Sequence, residues 1–218
     1  MTIRSRSLPI QLAPACLLIA LTAPAHAGRP LTVDDANVND TGNGHVETWY
    51  ARQPGRVHTW TVAPAYAPID GLELGAAFSR DRTTPQSSQA VQAKWRITPS
   101  QEAGCNAGAV AGLSHARGAG NTPYVNGLLT CNSPWGATHL NLGANRAPGG
   151  PTLGSWGIAH EHPFGAVTAH AELFGQRLSK PTFQIGARTD IARGVQLDGT
   201  VGRSNRETLV SVGFKVSF

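Results

Sequence analysis

The feature that most constrains the fold is a run of about ten residues in which polar and apolar side chains alternate, and this run recurs along most of the chain. It is clearest at residues 207–218, where every second position from Val210 to Phe218 is valine or phenylalanine. Alternation with a period of two is typical of a β-strand that has one face in an apolar environment. Strong amphipathic helical periodicity is missing after residue 27, so the pattern predicts an all-β protein.

About twelve such runs are recognisable, and turns rich in glycine, proline, asparagine, aspartate or serine separate them. They lie near residues 45–53, 56–67, 71–80, 88–97, 105–115, 122–132, 136–146, 153–162, 166–176, 181–190, 194–203 and 207–218. Most have the length that a tilted strand needs to cross a bilayer, which is about ten residues. The spacing therefore predicts an antiparallel up-and-down transmembrane β-barrel of about 12 strands over residues 45–218.

Residues 1–27 have the composition of a secretory signal peptide. Two arginines precede a short apolar stretch at residues 17–21, and an Ala-His-Ala tripeptide with the pattern of a cleavage site ends at Ala27. The alternative is an N-terminal anchor helix, but the apolar stretch is short and prolines interrupt its surroundings. The sequence therefore predicts an exported protein whose signal peptide is removed near Ala27.

Two cysteines, Cys105 and Cys131, lie beyond the predicted signal peptide. An even number of cysteines in an exported protein favours a disulfide, although two unpaired thiols are the alternative. The predicted topology puts both residues at the same end of neighbouring strands, which is consistent with a bond between them.

Alternation alone does not decide which face of the barrel points inward. A soluble barrel buries its apolar face, whereas a membrane barrel turns that face toward lipid. The connections help, because long polar ones such as RDRTTPQSSQ and RAPGGPTLGS alternate with tight ones such as APIDG and HPFG. Long outer loops and short inner turns are typical of bacterial outer-membrane barrels, so we expect polar side chains inside and both termini on the periplasmic side.

With the polar faces inward, the lumen receives carboxylates, cations and histidines together. The candidates are Glu47, Glu73, Lys94, Arg96, His139, Glu161, His170, Glu172, Arg188, Asp190, Asp198 and Lys215. One interpretation is that these charges pair and fill the interior, and the other is that they line a narrow pore or a ligand site. Strand order further predicts a salt-bridged cluster of His170, Glu172, Arg188 and Asp190.

Residues 28–44 precede the first strand and are predicted either to hang in the periplasm or to enter the lumen as a plug. Asp35, Asn37 and Asn39 have the spacing of a calcium loop, but Asp40 stands where that loop needs glycine. We therefore expect an Asx-rich turn here. The sequence predicts neither a metal site nor a cofactor.

Catalytic residues are not predicted. Ser155, His160 and His162 are the nearest candidates for the chemistry of an outer-membrane lipid-modifying enzyme. No G-x-S-x-G motif is present, and histidines that flank Glu161 lack the helical spacing of a zinc site.

The terminal strand that ends in Phe218 resembles the assembly signal of bacterial outer-membrane proteins. The start of the predicted mature chain, R-P-L-x-x-D-D-A at residues 29–36, resembles a group of poorly characterised proteobacterial barrels of the phenol-degradation or transporter-like type. The first resemblance implies recognition of Phe218 by the barrel-assembly machinery. The second implies an outer-membrane barrel and supplies no catalytic residues.

Together these observations predict a monomeric outer-membrane barrel that is a narrow channel or facilitated transporter for small molecules, or a structural barrel. The alternative is a soluble periplasmic β-barrel that binds an apolar ligand. The expected partners are outer-membrane lipid, the barrel-assembly machinery and a small-molecule solute. Nucleic acid is not expected, because a net charge of +5 without a block of like charges forms no basic arm.

Overall fold

The computed structural model describes residues 29–218, and the predicted signal peptide at residues 1–27 lies outside this range. Twelve antiparallel strands form a closed barrel in which each strand pairs with its neighbours in sequence and β1 pairs with β12. The strands are β1 Gly44–Gln53, β2 Val57–Ile69, β3 Leu72–Asp81, β4 Ser87–Arg96, β5 Gly104–Ala116, β6 Gly120–Ser133, β7 Gly136–Arg146, β8 Thr152–Phe164, β9 Val167–Gln176, β10 Thr182–Ala192, β11 Val195–Ser204 and β12 Glu207–Ser217. Each coincides with a predicted run to within two residues at either end, so the predicted all-β barrel is confirmed.

Pairing between the first and last strands closes the barrel. Phe218 donates its N–H to the carbonyl of Gly44 at 2.9 Å and accepts the N–H of Gly44 at 2.8 Å, and Glu47 lies opposite Lys215 in the register. Closure satisfies the backbone groups that an edge strand leaves unpaired. The alternation of β12 therefore continues to its end, because the last residues are still paired.

The apolar faces of the strands point outward. Val212, Phe214 and Val216 on β12 are 47, 43 and 46% exposed, whereas Glu172 on β9 is 2% exposed. A cylinder with this arrangement presents valine, leucine and aromatic side chains to its surroundings, as a lipid-facing barrel does. It is the reverse of the soluble barrel with an apolar interior. No helix among residues 29–218 is long and apolar enough to cross a membrane.

The connections depart from the predicted contrast between long and short links. At the end of the barrel that carries Gly44 and Phe218, most connections are two-residue turns, but residues 97–103 form the longest connection of the barrel. At the opposite end, no connection exceeds five residues. The prediction of long loops at that end is wrong, because β6 and β8 extend into residues that read as loops.

Cys105 and Cys131 form a disulfide between directly paired positions of β5 and β6. It lies on the outward face, close to the connection 97–103. The predicted disulfide is thus present, and it joins the strand that follows this connection to its neighbour.

Candidate functional site in the barrel lumen

The lumen divides into two halves along the barrel axis. The terminal half contains the inward-facing residues nearest to the strand ends at Gly44 and Phe218, and the distal half contains those beyond them. Every charged or histidine lumen candidate lies in the terminal half, between strand position one and about six counted from that end. These candidates are Glu47, Glu73, Lys94, Arg96, His139, Glu161, His170, Glu172, Arg188, Asp190, Asp198 and Lys215.

Residues 29–43, the N-terminal segment, run around the inside of the terminal half. Their backbone N–H groups donate to side-chain acceptors on the wall, which lie in order on β3, β6, β7, β9 and β1. These acceptors are Glu73, Thr130, Asn141, Glu172 and Glu47. The segment therefore closes almost a full turn inside the barrel, and the wall satisfies backbone groups that would otherwise be buried without a partner.

Glu172 is the wall residue that accepts two of these N–H groups, whereas each of the others accepts one. Its carboxylate accepts the backbone N–H of Thr32 at 2.9 Å and that of Val33 at 2.8 Å, and the side-chain amide of Gln184 also donates to it. Glu172 therefore fixes the segment at two consecutive residues.

Asn141 makes a two-way contact with the segment. Its Oδ1 accepts the N–H of Asp34 at 2.7 Å, and its Nδ2 donates to the carbonyl of the same residue at 2.7 Å. A residue in a neighbouring β-strand would satisfy both backbone groups in the same way. This contact recognises an extended backbone regardless of the side chain.

A buried ion pair joins the segment to β4. Lys94 Nζ lies 2.8 Å from Asp34 Oδ1 and 3.6 Å from Asp35 Oδ1, and the side chains of Lys94 and Asp34 are almost inaccessible. Burial raises the pKa of Asp34, although Lys94 opposes this rise. Asp34 Oδ2 has no hydrogen-bond partner within residues 29–218. Lys94 therefore offsets the free-energy cost of burying the carboxylate of Asp34.

The segment begins with a second ion pair. Arg29 Nη2 lies 2.5 Å from Asp198 Oδ1 on β11, and the guanidinium lies 4.7 Å from the ring centroid of Trp49 on β1. Ser211 on β12 accepts a further hydrogen bond from Arg29 at 3.2 Å. An arginine between a carboxylate and an indole face is held by charge and by a cation–π contact.

Apolar side chains of the segment pack against apolar residues that face inward. Leu31 and Val33 form one cluster with Ala159 and Phe174. Ala36 forms another with Val110, Leu128 and Tyr124. These clusters explain why β5, β6 and β9 carry apolar residues on the otherwise polar lumen face.

Glycines on the wall make room for the segment. A Cβ added at Gly157 on β8 would lie 2.6 Å from Val33 Cγ2, and one at Gly213 on β12 would lie 2.8 Å from Arg29 Nε. Neither distance is compatible with a relaxed van der Waals contact. The wall is therefore shaped to the segment as well as bonded to it.

A cavity of ≈330 Å³ lies beside the segment in the terminal half. Its lining includes Asp35, His139, Glu161, Arg188, Gln196 and Lys215. Both charge signs are present, as the sequence predicted for the lumen.

The predicted cluster of His170, Glu172, Arg188 and Asp190 does not form as such. Arg188 pairs with Glu161 on β8 instead, and Asp190 is exposed at the rim. Glu172 is engaged by the segment. His170 is 4% exposed, and neither of its ring nitrogens has a hydrogen-bond partner within residues 29–218. Sequence reasoning failed here because it paired residues by strand order and gave the segment no partners.

The other candidates occupy simpler positions. Arg96 pairs with the exposed Asp70 at the rim of the terminal half. His139 contacts Thr130 at 2.9 Å and lies 3.8 Å from Glu161. Asn141 was not a candidate, because nothing in the alternating pattern of β7 distinguishes it from other inward polar residues. Arg29 entered only as part of the R-P-L-x-x-D-D-A motif, with no partner assigned to it.

The residues considered for catalysis are not brought together. Ser155 faces inward on β8, whereas His160 and His162 face outward and contact the carbonyl of Trp135. Ser155 and His160 therefore lie on opposite faces of the barrel wall and are not hydrogen-bonded to each other.

Asp35 accepts the N–H of Asn37 at 2.6 Å in an Asx turn. Within residues 29–218, no group of three His, Cys, Asp or Glu side chains is arranged to bind a metal ion.

The distal half of the lumen has a different composition. Its inward residues are mainly hydroxyl, amide and small side chains, and the carboxylates of Asp81 and Glu207 lie at its rim. Examples are Thr59, Thr61, Ser79, Gln92, Ser114, Asn145, Ser155, Gln176, Thr182 and Thr200. Asp81 accepts hydrogen bonds from Thr83 and Thr84 in the adjoining turn. The distal half therefore presents neutral hydrogen-bonding groups to the interior.

The described strands have the fold of outer-membrane porins. A KdgM porin in complex with disordered oligogalacturonate matches with a TM-score of 0.69 and 13% identity, over 80% of this chain and 99% of that one. A NanC porin matches with a TM-score of 0.63 and 6% identity, over 79% and 98%. The outer-membrane protein Omp33 of Acinetobacter baumannii matches with a TM-score of 0.54 and 9% identity, over 81% and 97%.

Comparison by sequence gives a family and no curated relative. The model of the family described as "Uncharacterised conserved protein UCP029691" matches residues 15–218. No curated protein matches the chain in sequence. The predicted resemblance to outer-membrane barrels is confirmed at the level of the fold, and the phenol-degradation type stays a prediction.

Proposed function

The chain belongs to the family of Uncharacterised conserved protein UCP029691, and we propose that its barrel is an outer-membrane channel for small polar solutes of low net charge, which the N-terminal segment holds closed. The observation that carries this proposal is the division of the lumen. The distal half offers neutral hydrogen-bonding groups, and the terminal half is occupied by a segment that the wall binds through ion pairs and backbone hydrogen bonds.

The low net charge of the solute is inferred from the wall. Inward carboxylates in the terminal half outnumber inward cations. The carboxylates are Glu47, Glu73, Glu161, Glu172, Asp190 and Asp198, and the cations are Lys94, Arg96, Arg188 and Lys215. A porin of the same fold is known with oligogalacturonate, which is an acidic sugar chain. The excess of carboxylates here disfavours such an anion.

A structural barrel is the second candidate. Its support is that three residues of the segment, Val33, Asp34 and Ala36, are almost completely buried in the lumen. If the segment fills the lumen permanently, the barrel has no conducting path. The two candidates differ in whether loosening the segment creates a conducting path.

The remaining predictions about biogenesis are also proposals. We propose that the signal peptide is removed near Ala27, that residues 28–44 act as one unit and residues 45–218 as the barrel, and that the barrel-assembly machinery reads Phe218. The outward apolar face supports outer-membrane lipid as the surrounding medium.

Planar-bilayer recording of the purified mature chain tests the proposal. Arg29→Ala removes the ion pair with Asp198 and should raise conductance at least several-fold above wild type. Arg206→Ala, which changes an exposed turn at the distal end, is the matched control and should leave conductance unchanged. Liposome swelling should then show faster entry of an uncharged sugar than of an organic anion.

Folding is checked separately by the change in SDS electrophoretic mobility on heating, which is typical of outer-membrane barrels. If Arg29→Ala and wild type are both folded and neither conducts, the barrel is structural and the channel proposal is wrong.

A further inference from the structure

We infer that the wall of the terminal half is a binding site for short extended peptides, and that the N-terminal segment is its built-in occupant. This inference rests on the proposed function in one respect, because it names the solute class that enters when the segment leaves. The contacts that hold the segment are those by which peptides are recognised.

The first part of the site recognises backbone. Asn141 pairs with both the N–H and the carbonyl of Asp34, as a neighbouring strand would. Glu172 accepts two consecutive backbone N–H groups, those of Thr32 and Val33. Main-chain hydrogen bonds of this kind give affinity without demanding a particular sequence.

The second part recognises two charged side chains of opposite sign. Asp198 and the face of Trp49 receive a guanidinium, that of Arg29. Lys94 receives a carboxylate five residues further along the segment, that of Asp34. A peptide with a basic and an acidic residue at this spacing has little net charge, which agrees with the neutral lining of the distal half.

The third part accepts apolar side chains between and after the charges. Ala159 and Phe174 contact Leu31 and Val33 of the segment. Gly157 leaves the space in which Val33 sits. The spacing of these pockets suits alternate side chains of an extended chain.

A linear polyamine is the competing ligand, because its N–H groups would satisfy Glu172 and Asp198. It would leave Lys94 without a carboxylate, and it offers no acceptor to the side-chain amide of Asn141. A buried cation and a buried donor without partners are costly. The wall therefore favours a peptide over a polycation.

A free peptide has to compete with a segment that is tethered to β1 at Gly44. Tethering gives the segment an effective concentration in the millimolar range. The test therefore weakens the segment and leaves the wall intact. Arg29→Ala with Asp34→Ala does so in the full mature chain, because both side chains belong to the segment.

The probe is a synthetic peptide with the sequence of residues 29–39, labelled at its C-terminal end, where the segment reaches the mouth of the barrel. Fluorescence anisotropy in detergent measures its binding to the double variant. We expect binding at least tenfold tighter than to wild type, whose site is occupied. Adding Lys94→Met or Asn141→Leu to the double variant should weaken binding about tenfold or more.

A scrambled peptide of the same composition and spermidine are the controls, and neither should displace the labelled peptide at comparable concentrations. Displacement by spermidine would show a site for cations and overturn the inference. Equal binding of the scrambled peptide, or no effect of the wall substitutions, would overturn it as well.

Folding of each variant is verified by heat-dependent mobility in SDS, and the single variants Arg29→Ala and Asp34→Ala replace the double variant if that one does not fold. The peptide-binding inference and the channel proposal are tested independently by these two measurements. A barrel that binds the peptide and conducts nothing retains the site and loses the proposed channel function, whereas a conducting barrel that does not bind it retains the channel and loses this inference.

Discussion

The terminal and distal halves of one lumen are built from the same twelve strands and have opposite chemistry. The terminal half concentrates carboxylates, cations and histidines, and each charged contact there is made with the N-terminal segment or with a neighbouring wall residue. The inward face of the distal half is lined by hydroxyl and amide groups, for example on β2, β4, β10 and β11. The difference teaches that charge accompanies the segment, since the inward charges are concentrated in the half of the lumen that the segment occupies.

Breaking the buried ion pair on β4 should have the largest effect on the terminal half. Lys94→Met leaves Asp34 buried without a cation, and removing one partner of such a pair costs about 3–5 kcal/mol. We expect hydrogen–deuterium exchange of the amides of residues 32–36 to accelerate about 100-fold or more.

The matched control is Gln92→Met, which changes the next inward position of the same strand on the distal side. It removes the hydrogen bond that Gln92 accepts from Tyr124 at 2.9 Å and leaves the ion pair in place. Comparable acceleration in both variants would show that the segment is not held by charge.

Filling the space beside the segment should have an intermediate effect. Gly157→Ala places a methyl group 2.6 Å from Val33 Cγ2, and overpacking of this kind costs about 1–3 kcal/mol. Exchange of the Val33 amide should accelerate about tenfold. Gly127→Ala is the control, because its Cβ would come no nearer than 3.6 Å to any neighbour. Unchanged exchange in Gly157→Ala would mean that the segment does not occupy this space in solution.

Removing a rim charge should have the smallest effect. Asp190 lies in the terminal half but is exposed at the rim. Asp190→Asn should change the free energy of docking the segment by less than about 0.5 kcal/mol, and exchange of residues 32–36 should stay within about twofold of wild type. A larger change would extend the charged site to the rim and weaken the distinction between bound and free charges.

Sequence reasoning predicted the barrel well because its signal is local. Alternation over residues 207–218 defined β12 to within one residue, and the positions of Cys105 and Cys131 predicted the disulfide between neighbouring strands. A period of two requires only that a strand separate an apolar from a polar environment, and each strand carries that information by itself.

The lumen could not be predicted in the same way. Residues 29–43 have no periodicity, since their hydrogen bonds go to wall side chains rather than to one neighbouring strand. Val110 and Leu128 are apolar residues on the polar lumen face of β5 and β6, and the structure explains them by their contact with Ala36. Arg188 reaches Glu161 across an intervening strand, which pairing by strand order does not anticipate. Contacts across a lumen depend on what fills it.

The position of Arg29 ties the beginning of the described chain to its end. The counter-ion of Arg29 is Asp198 on β11, and Ser211 on β12 completes its contacts. These partners lie on the last two strands, so Arg29 has its counter-ion only once β11 and β12 have folded. Docking of the first described residue thus depends on the strands whose pairing with β1 completes the barrel.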